Sequence, residues 1–104
     1  MNDLFSVKNK VVVITGGTGV LGKAIAAYLA KEGAKVVVLG RRAEAGNAIV
    51  DEIKKEGGEA MFLTTNVLDQ AVVEQNLKDI LAAYGRVDAL LNAAGGNMPG
   101  ATIA

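Results

Sequence analysis

The segment Thr15-Gly16-Gly17-Thr18-Gly19-Val20-Leu21-Gly22 is where residue type and spacing point most directly to chemistry. Gly17, Gly19 and Gly22 make a G-x-G-x-x-G pattern that follows a β-branched run and opens a helical one. In that context one glycine permits a tight turn and another lets a pyrophosphate approach the backbone. Gly22 lets the helix pack close to the strand. The helix N-terminus adds unpaired N–H groups and a partial positive charge. The chemistry implied is phosphate or dinucleotide binding; a glycine turn kept only for packing is the competing reading. No Gly-Lys-Ser/Thr closes the motif, so it is not a Walker A loop. Gly40-Arg41-Arg42 is the second such place, because arginine pairs bidentately with phosphate. Two solvated arginines opening a helix are the plainer alternative.

Other chemistries are excluded by inventory. The chain has 104 residues, 51% of them apolar and 21% charged, the profile of one domain with one modest core. Eleven lysines and arginines balance eleven aspartates and glutamates, which argues against a general nucleic-acid binder. Without cysteine there is no disulfide or thiolate, and without histidine there is neither a zinc site of the usual kind nor a Ser-His-Asp triad. Met1-Asn2-Asp3-Leu4 lacks the basic-then-apolar pattern of a signal peptide, and no apolar run reaches the ~20 residues of a membrane span. The expected location is cytoplasmic.

Two periodicities alternate around these residues. Lys10 to Thr15, Lys35 to Leu39, Glu59 to Thr65 and Val87 to Asn92 read as strands, the first two apolar on both faces as in a buried parallel sheet. Between them lie three helical patterns. The first, from Val20 to Gly33, places Leu21, Ala24, Ile25, Tyr28 and Leu29 on one stripe. The second, Ala43 to Glu56, uses Ala45, Ile49 and Ile53. The third has Asp69 as N-cap, Val73, Leu77, Ile80, Leu81 and Tyr84 as its stripe, and Gly85 after it. The pattern β-α-β-α-β-α-β with short connections predicts an α/β fold, half of a doubly wound Rossmann sheet. Its four parallel strands are expected in the order 3-2-1-4 with helices on both faces.

The motifs, taken together, resemble the short-chain dehydrogenase/reductase family. Leu4-Phe5-Ser6-Val7-Lys8-Asn9-Lys10-Val11 is similar to the family's lead into its first strand, and Thr15 to Gly22 has its loop spacing. The middle glycine is Gly19, where many members carry it one position later, at Val20 here. Asn92-Ala93-Ala94-Gly95 is similar to the family's Asn-Asn-Ala-Gly, with Ala93 replacing the second asparagine. Asn66-Val67 stands where the family has Asp-Val beside the adenine. Within the family the sequence most resembles mannonate/fructuronate-type sugar-acid oxidoreductases. The resemblance implies a dinucleotide cofactor held by Gly16, Gly17, Thr18, Gly19, Val20, Leu21 and Gly22, with Ala93, Ala94 and Gly95 beyond the fourth strand. Members using NAD place a carboxylate near the end of the second strand, where this chain has Arg41 and Arg42. NADP(H) is therefore favoured over NAD(H), with Arg41 the main contact and Arg42 stacking or helping. Asn66 would hydrogen-bond the adenine amine and Val67 cover the ring. Asn92 is either a ribose or backbone clamp or a bridge between strands.

The resemblance also implies a serine and a Tyr-x-x-x-Lys pair for catalysis. No such pair occurs: Glu32 and Asp88 lie four residues after Tyr28 and Tyr84, both of which read as core or helix-edge packing. Residues 1–104 are therefore expected to be the N-terminal dinucleotide-binding half of an oxidoreductase, inactive by itself and with no catalytic residue of its own. The alternative is a structural, self-associating module without appreciable cofactor affinity. A fourth strand with Val87, Ala89, Leu90 and Leu91 along a bare edge predicts a homodimer through that edge. Residues 96–104 hold Pro99 and two glycines and are expected to make a poor strand over it.

Overall fold

The computed structural model describes residues 7–16, 20–66, 68–92 and 101–103, with Val20 and residues 101–103 described by backbone alone. Strand β1 (Val11–Thr15) is followed by α1 (Val20–Lys31), β2 (Lys35–Gly40), α2 (Ala43–Lys55), β3 (Glu59–Thr64), α3 (Gln70–Tyr84), β4 (Ala89–Asn92) and β5 (Ala101–Ile103). The sheet order is β3-β2-β1-β4-β5, and the first four of these strands are parallel, in the order expected.

Alternation along the strands divides the core in two. Val12, Ile14, Val36, Val38 and Ala60 face α1 and α2, meeting Ala26, Ala30, Ile49, Val50 and Ile53. Val11, Val13, Val37 and Leu39 point the other way, toward Ile80 of α3. Ile14, Val36, Val37 and Val38 are 0% exposed, and each such aliphatic side chain contributes about 1.5–3 kcal/mol by leaving water. Helices thus cover both faces, two on one side and one on the other.

Helix α2 buries Ile49 and Ile53 as expected, whereas α1 and α3 turn inward a different line from the one expected. In α1 the buried residues are Gly22, Ala26 and Ala30, whereas Leu21 and Tyr28 are 56% and 63% exposed. Small side chains let the helix axis approach the sheet, which outweighs burying a larger residue from farther away. In α3 the buried line runs through Asn76 and Ile80, with Tyr84 half-buried, and leaves Val73, Leu77 and Leu81 exposed. The caps follow expectation. Asp69 Oδ1 accepts from the N–H groups of Ala71 (3.0 Å) and Val72 (3.4 Å), and Gly85 ends α3 in the left-handed region at φ 78°.

Strand β4 begins at Ala89 rather than Val87 because Asp88 uses its side chain. Asp88 N–H donates to Val11 O (2.8 Å) while its Oδ2 accepts from Val11 N–H (2.8 Å). Arg86 Nε donates to Oδ1 at 3.0 Å. The Arg86 hydrogen bond first, and the Val11 N–H second, hold the Asp88 carboxyl below the usual carboxylate range. A depressed native pKa stabilises the fold above the unfolded value of 3.8, and that contribution is lost as pH falls through the native one. Asp88→Ala should cost about 1 kcal/mol at pH 7, with Val11 N–H left unpaired. The gap between urea titrations of the two proteins should begin to close below the unfolded value of 3.8 and disappear only as pH falls through the lower native one; a gap constant down to about pH 2 would rule the ionised carboxylate out.

The outer edge of β4 is not bare. Strand β5 pairs with it antiparallel, in the register Ala89↔Ile103, Leu90↔Thr102 and Leu91↔Ala101. This corrects the expectation that residues 96–104 make a poor strand. Pro99 and Gly100 precede the paired segment, so neither removes a ladder donor, and Thr102 and Ile103 are β-branched.

Candidate functional site

Because β1 to β4 are parallel, their carboxyl ends share one edge of the sheet. Thr15 lies opposite Leu39 of β2 and Asn92 of β4, and Gly40 lies opposite Thr64 of β3. The chain leaves β1 toward β2 on one side and meets β4 on the other. That reversal opens a crevice at the carboxyl edge between β1 and β4, where such sheets take ligands.

Of the sequence-predicted residues, Gly16, Val20, Leu21, Gly22, Arg41, Arg42, Asn66 and Asn92 are described, on the elements that meet this edge. Gly16 leaves β1 with φ 69°, a backbone turn that glycine adopts without strain, and its N–H donates to Leu39 O at 3.1 Å. Thr15 Oγ1 donates to Leu91 O at 3.3 Å and ties β1 to β4 just below the crevice, a bond that sequence reading did not single out. Helix α1 starts at Val20, points its N-terminus at the same edge and has no acidic residue in its first turn. Leu21 is exposed there and Gly22 is buried. Gly17, Thr18, Gly19, Val67, Ala93, Ala94 and Gly95 lie outside the described residues.

Arg41 and Arg42 follow β2 and are both exposed. Arg42 has extended backbone and caps α2 without a side-chain hydrogen bond, leaving its guanidinium out of the helix. Neither arginine makes an ion pair among the described residues. Thr65 N–H donates to Gly40 O at 2.8 Å, which joins the β3 exit to the residue before Arg41. Asn66 has a local duty that sequence reading missed. Its Oδ1 accepts from Leu68 N–H (3.0 Å), and its carbonyl accepts from Asp69 N–H (2.9 Å), which folds the turn into α3. One lone pair of Oδ1 is left for a second donor. Asn92 closes β4 in register with Thr15 and is exposed. The Asn-x-x-Asp spacing from Asn66 to Asp69 is the sequence signal for that turn.

The two tyrosines stand elsewhere. Tyr28 is on the outer surface of α1. Tyr84 lies near Lys35 and Glu59, the first residues of β2 and β3, with Lys35 Nζ 5.7 Å from its ring centroid. Burial first, and the Glu59 carboxylate second, push its phenol above the ordinary value. That end of the sheet is opposite the crevice. Among the described residues there is no cluster of His, Cys, Asp and Glu that would hold a metal ion, and no helix is long and apolar enough to cross a membrane.

The edge thus carries a turn at positive φ, a helix N-terminus with no acidic residue in its first turn, two arginines without an ion pair among the described residues, and an amide acceptor. The family model described as short chain dehydrogenase matches residues 10–103. The chain is 48% identical over 92 residues to the uncharacterized oxidoreductase UxuB of Bacillus subtilis, covering 88% of this chain and 33% of that protein. Among solved structures it is similar to a candidate D-mannonate oxidoreductase of Haemophilus influenzae with bound NAD, at 36% identity and TM-score 0.83 over 90% of this chain and 34% of the other. A metagenomic short-chain oxidoreductase in complex with NADP aligns at 37% identity and TM-score 0.82 over 86% and 41% of the two chains. The chain spans about a third of the length of the curated relatives it matches.

Proposed function

The chain belongs to the short chain dehydrogenase family, and on that premise we propose that residues 1–104 form the dinucleotide-binding half of an NAD(P)-dependent oxidoreductase. The observation that carries this reading is the gathering of Gly16, the α1 N-terminus, Arg41, Arg42 and Asn66 on one edge beside the β1/β4 crevice. Gly16 to Gly22 hold the pyrophosphate against backbone N–H groups. Arg41 pairs with the 2′-phosphate of NADP(H), helped by Arg42, while NAD(H) is the weaker ligand. Asn66 and Val67 take the adenine, and Asn92 to Gly95 line the path toward the nicotinamide. The bound dinucleotide supplies the hydride; these residues bind and orient its adenosine end. The parent reaction is alcohol–carbonyl interconversion in the cytoplasm, with a sugar acid as the substrate class. The 104 residues contain no Tyr-x-x-x-Lys pair and are expected to be inactive when assayed alone.

Calorimetric titration of the purified chain tests this. Contacts to the adenosine half alone should give NADP(H) a Kd of roughly 10⁻⁴ to 10⁻³ M, about 4–5.5 kcal/mol. No heat with either dinucleotide up to several millimolar would overturn the binding reading and favour a structural module. Exposed Leu77, Leu81 and Leu90 (48%, 43% and 44%) support self-association as that module's role. A homodimer through β4 requires β5 to give up its place on that edge. Light scattering on the titrated samples reads a doubled mass if it does and the monomer mass if β5 stays.

A further inference from the structure

We infer that Asn76 is a positioning residue for the adenosine end of the site, an inference that rests on the dinucleotide reading. Asn76 is 6% exposed and sits on the inward line of α3, one turn before the equally inward Ile80. Its Nδ2 donates to Thr64 O at 3.1 Å, reaching the last residue of β3. The next residue, Thr65, donates its N–H to Gly40 O at 2.8 Å, immediately before Arg41. The residue after that, Asn66, closes the turn that leads back into α3 through Leu68 N–H and Asp69 N–H. The side chain of Asn76 therefore closes a ring. From α3 it holds the exit of β3, the exit of β3 holds the exit of β2, and those two exits carry Arg41 and Asn66.

Stability does not explain why an amide stands there. Asn76 Oδ1 and Thr65 Oγ1 are both buried and meet no hydrogen-bonding partner among the described residues. A buried acceptor without a partner is unfavourable, and an apolar side chain of similar volume would be neutral or better at this point on the helix. Thr64 is exposed, so water can serve its carbonyl if the amide is removed. What an apolar replacement cannot supply is the direction of the bond from α3 to Thr64 O. That bond sets where the β3 exit lies relative to the β2 exit, and so the spacing between the guanidinium and the adenine contact.

The test is Asn76→Leu in the whole 104-residue chain, with Asn76→Gln as the second variant, which keeps the amide but displaces it by one methylene. In ligand-free protein, hydrogen exchange of the Thr65 amide should accelerate roughly tenfold, the loss expected for one such hydrogen bond, while the Val37 and Val38 amides keep their rates. Titration with adenosine 2′,5′-bisphosphate should show Kd raised by about tenfold in Asn76→Leu and by several-fold in Asn76→Gln, with little change in melting temperature. Equal acceleration at Thr65, Val37 and Val38, or a Kd within twofold of wild type in whichever variant folds, would overturn the inference. If wild-type protein fails to bind the bisphosphate, the dinucleotide reading falls and the adenosine role with it. The Thr65 exchange ratio, measured without ligand, still reports separately whether Asn76 holds the strand exit.

Discussion

Arg41→Ala should weaken NADP(H) binding by about tenfold or more and leave NAD(H) within a factor of about two, read by calorimetry on the same preparation. A charge-assisted bidentate bond to a phosphate dianion is among the stronger polar contacts a side chain makes, and only one of the two dinucleotides offers that group. Arg41 is exposed, so part of the Coulomb energy is lost to solvent and salt, and raising the ionic strength should shrink the wild-type preference. Its backbone is well placed for the role. Gly40 accepts from Thr65 N–H, which holds the residue before the guanidinium at the sheet edge. Arg42→Ala is the internal comparison, because Arg42 is given only a helping part. An equal loss of NAD(H) and NADP(H) affinity in Arg41→Ala would show that this arginine does not read the 2′-phosphate.

Gly46→Ala should destabilise the fold by about 1–2 kcal/mol, and Gly46→Val by about 3 kcal/mol, against the ordinary preference of helices for alanine over glycine. Gly46 lies inside α2, where alanine would by itself gain about 1 kcal/mol. It is buried, however, and a Cβ built there would overlap Cδ1, Cε1 and Cγ of the Phe62 ring on β3. Overpacking of this kind typically costs about 1–3 kcal/mol, and an aromatic ring cannot bend away as the end of a flexible side chain can. The packing term therefore wins. For a domain of this length each kcal/mol lowers the melting temperature by roughly 4–8 °C. Phe62→Leu in the same chain should recover part of the loss, because the two residues share one space and their effects are not additive. If Gly46→Ala melts higher than wild type, α2 is free to move off the sheet and propensity decides.

Sequence patterning by itself determined the class and order of this fold. Two buried β-branched runs and two further apolar runs, separated by helical stripes and glycine stops, allow one economical solution, four parallel strands ordered 3-2-1-4. The same patterning put the glycine loop and Arg41 at strand exits, since such motifs are local and their backbone demands are visible in residue type. The Asp69 cap was legible for the same reason. Tertiary structure alone decided what depends on the distance between elements. Ala26 and Ala30, rather than Leu21 and Tyr28, face the sheet because α1 lies too near it for large side chains on its inner line. Asp88 takes the Val11 N–H and shortens β4 from a residue seventy-seven positions away. Gly46 has its reason in Phe62, β5 finds the β4 edge, and Asn76 reaches Thr64 O. In each case the partner comes from another element. Periodicity reports that a helix has an apolar side, but how closely it can approach a sheet, and which polar group then falls within bonding distance, is settled only when the two surfaces meet.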